Sequence, residues 1–201
     1  MKIATWNVNS LRVRLPHLLD WLAAQSPDVV CLQETKCEDA NFPGEELRQA
    51  GYSSLHHGQR GYNGVAILSR VEGGRVGRGI PAFADEQSRV IAADVHGVRI
   101  VSVYVPNGQA PGSDKYAYKL RWFEALAAWL AKELEAHPKL AVLGDFNVAP
   151  EDRDVHDPQL WEGKIHVSEP EREALRRVIG VGLVDAFRLF EQPEKSFTWW
   201  D

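Results

Sequence analysis

Four apolar, strand-like runs of this chain end on side chains that carry oxygen. Lys2 to Trp6 leads into Asn7, and Asp28 to Leu32 leads into Gln33 and Glu34. Leu140 to Gly144 leads into Asp145-Phe146-Asn147, and Val98 to Val103 reaches Tyr104-Val105-Pro106-Asn107. Carboxylates, carboxamides and a phenol form an oxygen donor set that suits Mg²⁺ or Mn²⁺ over zinc. Mg²⁺ takes one or two carboxylates and completes its shell with water and phosphate oxygens. Glu34 with Asn7, and Asp145 with Asn147, match that demand. Two carboxylates sharing a dry pocket repel, and a cation relieves the repulsion. The chemistry to which these residue types point is attack at a phosphate.

Alternation along a strand puts Asp145 and Asn147 on the same side, with Phe146 pointing inward. Asp145 is placed to hold a metal through water or to polarise the attacking water. Asn147 is suited to donate to a phosphoryl oxygen, and Tyr104 to bind a phosphate or assist the leaving oxygen. Taken singly, each acidic or carboxamide residue also suits a turn cap after its strand, and Tyr104 a core position with its hydroxyl at the rim. Their repetition at four strand ends favours a site. The seven histidines offer no obvious base, since none ends an apolar strand beside an aspartate.

The elements that must position these groups alternate between strand and helix early and late, with a strand-only stretch between. Leu15, Leu18, Leu19 and Leu22 mark one face of a helix over 11–25. Pro43 to Ala50 reads as a short helix stopped by Gly51. Gly64 to Ser69, Ser88 to Asp94 and Val98 to Val105 read as strands, the last two joined in a hairpin by His96-Gly97. Lys119, Trp122, Phe123, Leu126, Leu130 and Leu134 mark a helix over 115–137, ended by Pro138. Ser168 and Glu171 form a capping box for a helix to Ile179. Ser196 to Trp200 reads as the start of a further strand.

Length and composition suit one globular domain over residues 1–201, with no repeat or linker. No apolar run approaches the ~18–20 residues that cross a bilayer, and the opening residues turn polar too soon for a signal peptide. A cytoplasmic monomer is the default expectation. The two cysteines form no disulfide framework or zinc set. Cys31 reads as a small buried hydrophobe and Cys37 as a loop thiol. A net charge of -5 argues against a generally basic nucleic-acid binder. It leaves room for a local basic face.

Several blocks together resemble the exonuclease III type of apurinic/apyrimidinic endonuclease, within the DNase I-like metallo-phosphoesterases. They are Trp6 to Arg12, Leu32-Gln33-Glu34-Thr35-Lys36, Gly61 to Ala66, Arg89-Val90-Ile91, Tyr104 to Gly108, Gly144 to Asn147, Gly182 to Arg188 and Phe197 to Asp201. The resemblance implies an α/β fold, a four-layer sandwich of two packed mixed sheets flanked by helices. It implies Mg²⁺-dependent hydrolysis of the phosphodiester 5′ to an abasic site in double-stranded DNA, with 3′→5′ exonuclease action and cleaning of blocked 3′ ends. Glu34 would hold the metal with Asn7 close by. Asp145 would activate the water, with Asn147 beside it and Tyr104 assisting at the scissile phosphate. Arg12, Lys36, Tyr62, Arg89 and Asn107 would touch DNA. Trp199 would help line an apolar pocket for the extruded sugar, which is cheap to flip without its base.

Such proteins carry further motifs, an Arg-Ile-Asp-His strand and a final Ser-Asp-His, that this chain lacks. The resemblance therefore implies a C-terminally incomplete domain of low activity. Two other functions stay open: a phosphodiesterase of the same superfamily acting on another substrate, and a catalytically impaired DNA-binding fragment.

Overall fold

The computed structural model describes residues 1–198. The chain divides into two compact units, Met1–Tyr104 with Ala136–Phe146, and Val105–Glu135 with Asn147–Asp201.

The first unit holds two four-stranded mixed sheets. One contains β1 (Ile3–Asn7), β2 (Val29–Gln33), β3 (Ser53–His57) and β4 (Val65–Ser69) in the order β1-β2-β4-β3. In it β1 runs parallel to β2, while β4 is antiparallel to β2 and β3. The other contains β5 (Gly74–Arg78), β6 (Val90–Val95), β7 (Val98–Tyr104) and β8 (Leu140–Asp145) in sequential order, with only β7 and β8 parallel. Helices α1 (Leu11–Gln25) and α2 (Gly44–Gln49) complete the unit.

Every residue of β2 and of β4 is buried, because both faces of these strands are covered. Alternation splits β2 between two cores. Val30 and Leu32 pack with Leu11, Leu18 and Leu22 of α1 and Leu47 of α2. Val29 and Cys31 face the other way, toward Ile91, Ala93 and Ile100 of the second sheet. Burial pushes the Cys31 thiol up to about 12, so it stays protonated and inert. Cys37 is also free and buried. The β6–β7 hairpin turns through His96 and Gly97, both at positive φ, which is the type I′ geometry.

Helix α1 has the bounds that its leucine spacing predicts, and the 115–137 pattern appears as α3 (Asp114–Ala136). The second unit also contains α4 (Pro158–Trp161) and α5 (Glu169–Gly180), the latter opened by the Ser168–Glu171 capping box. Strands β3 and β5 lack a strand signature in sequence, being Ser-Ser-Leu-His-His and Gly-Arg-Val-Gly-Arg. They form because an apolar neighbour supplies the ladder partner. Residues 196–198 form no strand, and the rest of that expected segment lies outside the described residues. Among the described residues no helix is long and apolar enough to cross a membrane.

Candidate active site

Parallel pairing brings two pairs of strand ends together. Asn7 lies opposite Gln33 at the end of the β1–β2 pair, and Tyr104 lies opposite Asp145 at the end of β7–β8. Strands β1 and β8 lie against each other across the two sheets. As a result Asn7 Nδ2 donates to Glu34 Oε1 at 2.9 Å and to Asp145 Oδ2 at 2.8 Å. The Asn7 Oδ1 atom accepts from the backbone N–H of Asn9 at 3.0 Å, which fixes the orientation of the carboxamide.

The loop after β2 is held on both sides. Ser10 N–H donates to Glu34 O and Leu11 N–H to Thr35 O, while Thr35 and Lys36 N–H donate to Gly64 O and Asn63 O. Glu34 and Lys36 both sit at φ 51°, a left-handed conformation rare for such residues and sustained by those bonds. Gly64 allows the close approach, since a Cβ there would lie 2.1 Å from Thr35 Oγ1. Gly144 does the same for the other sheet. At φ +152° it has no room for a Cβ, which would lie 1.9 Å from the carbonyl oxygen of Val103.

The charges are matched unequally. Lys36 Nζ lies 3.0 Å from Glu34 Oε2 and 2.5 Å from Asn9 Oδ1. Burial of Glu34 favours its neutral form, but hydrogen bonds from Asn7, Lys36 and Tyr104 outweigh it and hold the carboxyl below its ordinary range. Burial, then the Glu34 charge and hydrogen bond, raise Tyr104 well above an ordinary phenol. It therefore remains an O–H donor at neutral pH. Two carboxylates against one ammonium leave net negative charge for a cation. The described residues contain no group of three or more His, Cys, Asp or Glu suited to a metal. The carboxylate oxygens of Glu34 and Asp145 nonetheless fit Mg²⁺, which needs few protein ligands. They fit zinc poorly. Asn7, expected beside the metal, turns its Nδ2 to both carboxylates and its Oδ1 to Asn9 N–H, so it holds the acidic pair in place and offers them no oxygen.

Arg89, for which a DNA contact is expected, is engaged within the fold. It is buried, its Nε and Nη2 donate to Gln87 Oε1 at 2.9 and 2.7 Å, and its Nη1 donates to Tyr104 O at 3.1 Å. Gln87 Oε1 also accepts from Asn63 Nδ2 at 3.2 Å. Asn63 Nδ2 reaches Gln59 Oε1 at 3.1 Å. Asn63 lies in the Gly61 to Ala66 block, whereas Gln59 and Gln87 are isolated loop amides that carry no periodic signal in the sequence.

In the second unit, Asn107 is exposed and Asn147 is buried. Asn147 Nδ2 donates to Val105 O at 2.9 Å. The backbone carbonyls of both asparagines accept from Lys119 Nζ, at 3.0 Å for Asn107 and 2.6 Å for Asn147. Lys119 is fully buried and its third partner is the equally buried Glu171, at 2.5 Å. A lysine on the apolar stripe of α3 thus acts as an internal cross-link. Arg12 is exposed in the first turn of α1, and Tyr62 is 72% exposed. Trp199, expected to line an apolar pocket, lies outside the described residues.

A model of the endonuclease/exonuclease/phosphatase family matches residues 4–200. Exodeoxyribonuclease III of Haemophilus influenzae is 34% identical over 215 residues, covering 100% of this chain and 80% of that protein. The solved 3′ phosphatase NExo from Neisseria, bound to a product DNA hairpin, superposes with a TM-score of 0.97 at 46% identity, over 100% of this chain and 79% of its own. An AP endonuclease from Archaeoglobus fulgidus superposes with a TM-score of 0.96 at 38% identity, over 100% and 78%. The expected fold is therefore the observed one, a DNase I-like α/β sandwich of two mixed sheets flanked by helices.

Proposed function

Because the chain belongs to the endonuclease/exonuclease/phosphatase family of phosphodiester hydrolases, we propose that it is a Mg²⁺-dependent DNA-repair nuclease. In this reading it hydrolyses the phosphodiester 5′ to abasic sites in duplex DNA and processes blocked 3′ ends. It would act as a cytoplasmic monomer, with residues 1–201 forming one domain of this type, a reading supported by a family match running through both units. The higher identity to the 3′ phosphatase than to the AP endonuclease, 46% against 38%, favours 3′-end processing as the leading activity.

The observation that carries the proposal is the Asn7 carboxamide joined to Glu34 and Asp145, which lie 27 and 138 residues away in the chain. Glu34 would hold the cation, with Asp145 and the carboxamide of Asn147 as further oxygen sources, and Asn7 would hold the two carboxylates together through its Nδ2. A bound divalent cation supplies positive charge to phosphoryl oxygens and a lower pKa to bound water. Asp145 would orient a water and take its proton. Tyr104, kept protonated, would donate to a phosphoryl or leaving oxygen. Asn107, exposed at the start of its unit, would donate to a backbone phosphate, and Arg12, Lys36 and Tyr62 would contact DNA.

The test is nicking of a 5′-labelled duplex with one abasic site, and release of phosphate from a 3′-phosphorylated hairpin, with and without EDTA. Glu34→Ala and Asp145→Ala should each slow both reactions by orders of magnitude, every tenfold being about 1.4 kcal/mol of barrier. Wild-type rates in either variant, or undiminished cleavage in EDTA, would exclude this reading.

A further inference from the structure

His166 is buried, lies on no strand end, and bridges the two asparagines discussed above. Its Nδ1 lies 2.6 Å from the carbonyl oxygen of Asn147, and its Nε2 lies 3.2 Å from Asn107 Nδ2. A carbonyl oxygen only accepts, so Nδ1 carries the proton. The lone pair of Nε2 then accepts from Asn107. The other end of that carboxamide is pinned independently, because Asn107 Oδ1 accepts from Gln109 N–H at 3.0 Å. Flipping the Asn107 amide would break both contacts at once. One Nδ2 hydrogen is directed at His166, and the second is the donor available to a phosphoryl oxygen.

We propose that His166 is a positioning residue that sets the direction in which Asn107 presents its N–H to DNA. The inference rests on the reading of Asn107 as a phosphate contact. Three further features favour it over a purely packing role. His166 N–H donates to Glu171 Oε1 at 3.1 Å, so the imidazole projects from a backbone fixed by the buried Lys119–Glu171 pair. Lys119 grips the backbone of the same two asparagines, so the framework on either side of the imidazole is already held without it. The hydrogen bond of the ring to Asn107 reaches an exposed residue, and the ring also lies 6.5 Å from that of Trp161, centroid to centroid.

The chemistry selects the variants. A glutamine at 166 places an acceptor oxygen near the position of Nε2, whereas an asparagine mimics the Nδ1–H donor and cannot reach Asn107. Binding is read by anisotropy of a labelled duplex carrying a tetrahydrofuran abasic analogue, in EDTA. His166→Asn should weaken binding about tenfold, the scale of one charge-assisted hydrogen bond. His166→Gln should stay within about threefold. His166→Asn in an Asn107→Ala background should cost nothing further, since interacting residues are not additive. Equal losses in the two single variants, or full additivity in the double variant, would overturn the positioning role. Wild-type binding by Asn107→Ala would instead remove Asn107 as a DNA contact, and the role of His166 with it. A second measurement needs no variant: the imidazole ¹⁵N shifts of His166 in the wild-type protein should place the proton on Nδ1. A proton on Nε2 would refute the proposal outright.

Discussion

Arg89 lies over the ring of Tyr104, with its guanidinium carbon 4.8 Å from the ring centroid, and donates to the carbonyl of the same residue at 3.1 Å. The backbone answers in kind, since Tyr104 N–H donates to Arg89 O at 2.8 Å. An arginine in a block that resembles a DNA-processing enzyme would ordinarily be assigned to DNA. Here three of its five N–H groups are directed at Gln87 and Tyr104, which makes it part of the support for the phenol.

That placement predicts which property Arg89→Lys alters. An ammonium keeps the charge but loses the stacked fork, so stability in urea should fall by about 1–3 kcal/mol. Cleavage should slow together with that of Tyr104→Phe, and affinity for DNA should change by less than about threefold. A large loss of affinity with unchanged turnover would return Arg89 to the DNA-contact role.

Asn7→Ala should show a pH-dependent defect. Hydrogen bonds to the Glu34 carboxylate, Asn7's foremost among them, hold it below its ordinary range. A group depressed in the folded state stabilises above its unfolded value, and that contribution is lost as pH falls through the folded value. The stability gap between wild type and Asn7→Ala should therefore be full at neutral pH and narrow as pH falls through the depressed folded value of Glu34, below which both proteins carry that proton. Urea denaturation across that range in EDTA measures it. A gap that widens in acid would contradict the assignment.

Gly144→Ala should be severe. Its Cβ would meet backbone, the Val103 carbonyl oxygen at 1.9 Å, and no side chain can move to relieve the clash. We expect a loss above about 3 kcal/mol, together with loss of cleavage because Asp145 is the next residue. A variant with wild-type melting and activity would show that the close β7–β8 approach is dispensable.

The Lys119–Glu171 pair is buried on both sides. Lys119→Met or Glu171→Gln alone should cost about 3–5 kcal/mol, because an unpaired charge or an unmet donor stays inside. The double variant Lys119→Met/Glu171→Leu should recover part of that loss. Thermal melting of the three variants tests the order.

Much of this molecule follows from local pattern. The leucine spacing of α1, the apolar stripe of α3, the Ser168–Glu171 box and the His96-Gly97 turn all act over a few residues, and their elements form where the pattern places them. The oxygen-bearing strand ends were legible for the same reason: a strand's termination is a local event.

What tertiary structure alone decided is which ends meet and which polar groups turn inward. Asn7 reaches Glu34 and Asp145 because β1 pairs in parallel with β2 and lies against β8, contacts that no local rule encodes. Lys119 interrupts an apolar stripe and Arg89 follows a loop, and each would suit solvent equally well until a buried acceptor is supplied. His166 carries no signal at all in its own neighbourhood. A buried polar side chain must find partners, and in a folded chain those partners come from wherever packing brings them, as Glu171, Gln87, Asn107 and Asn147 do here.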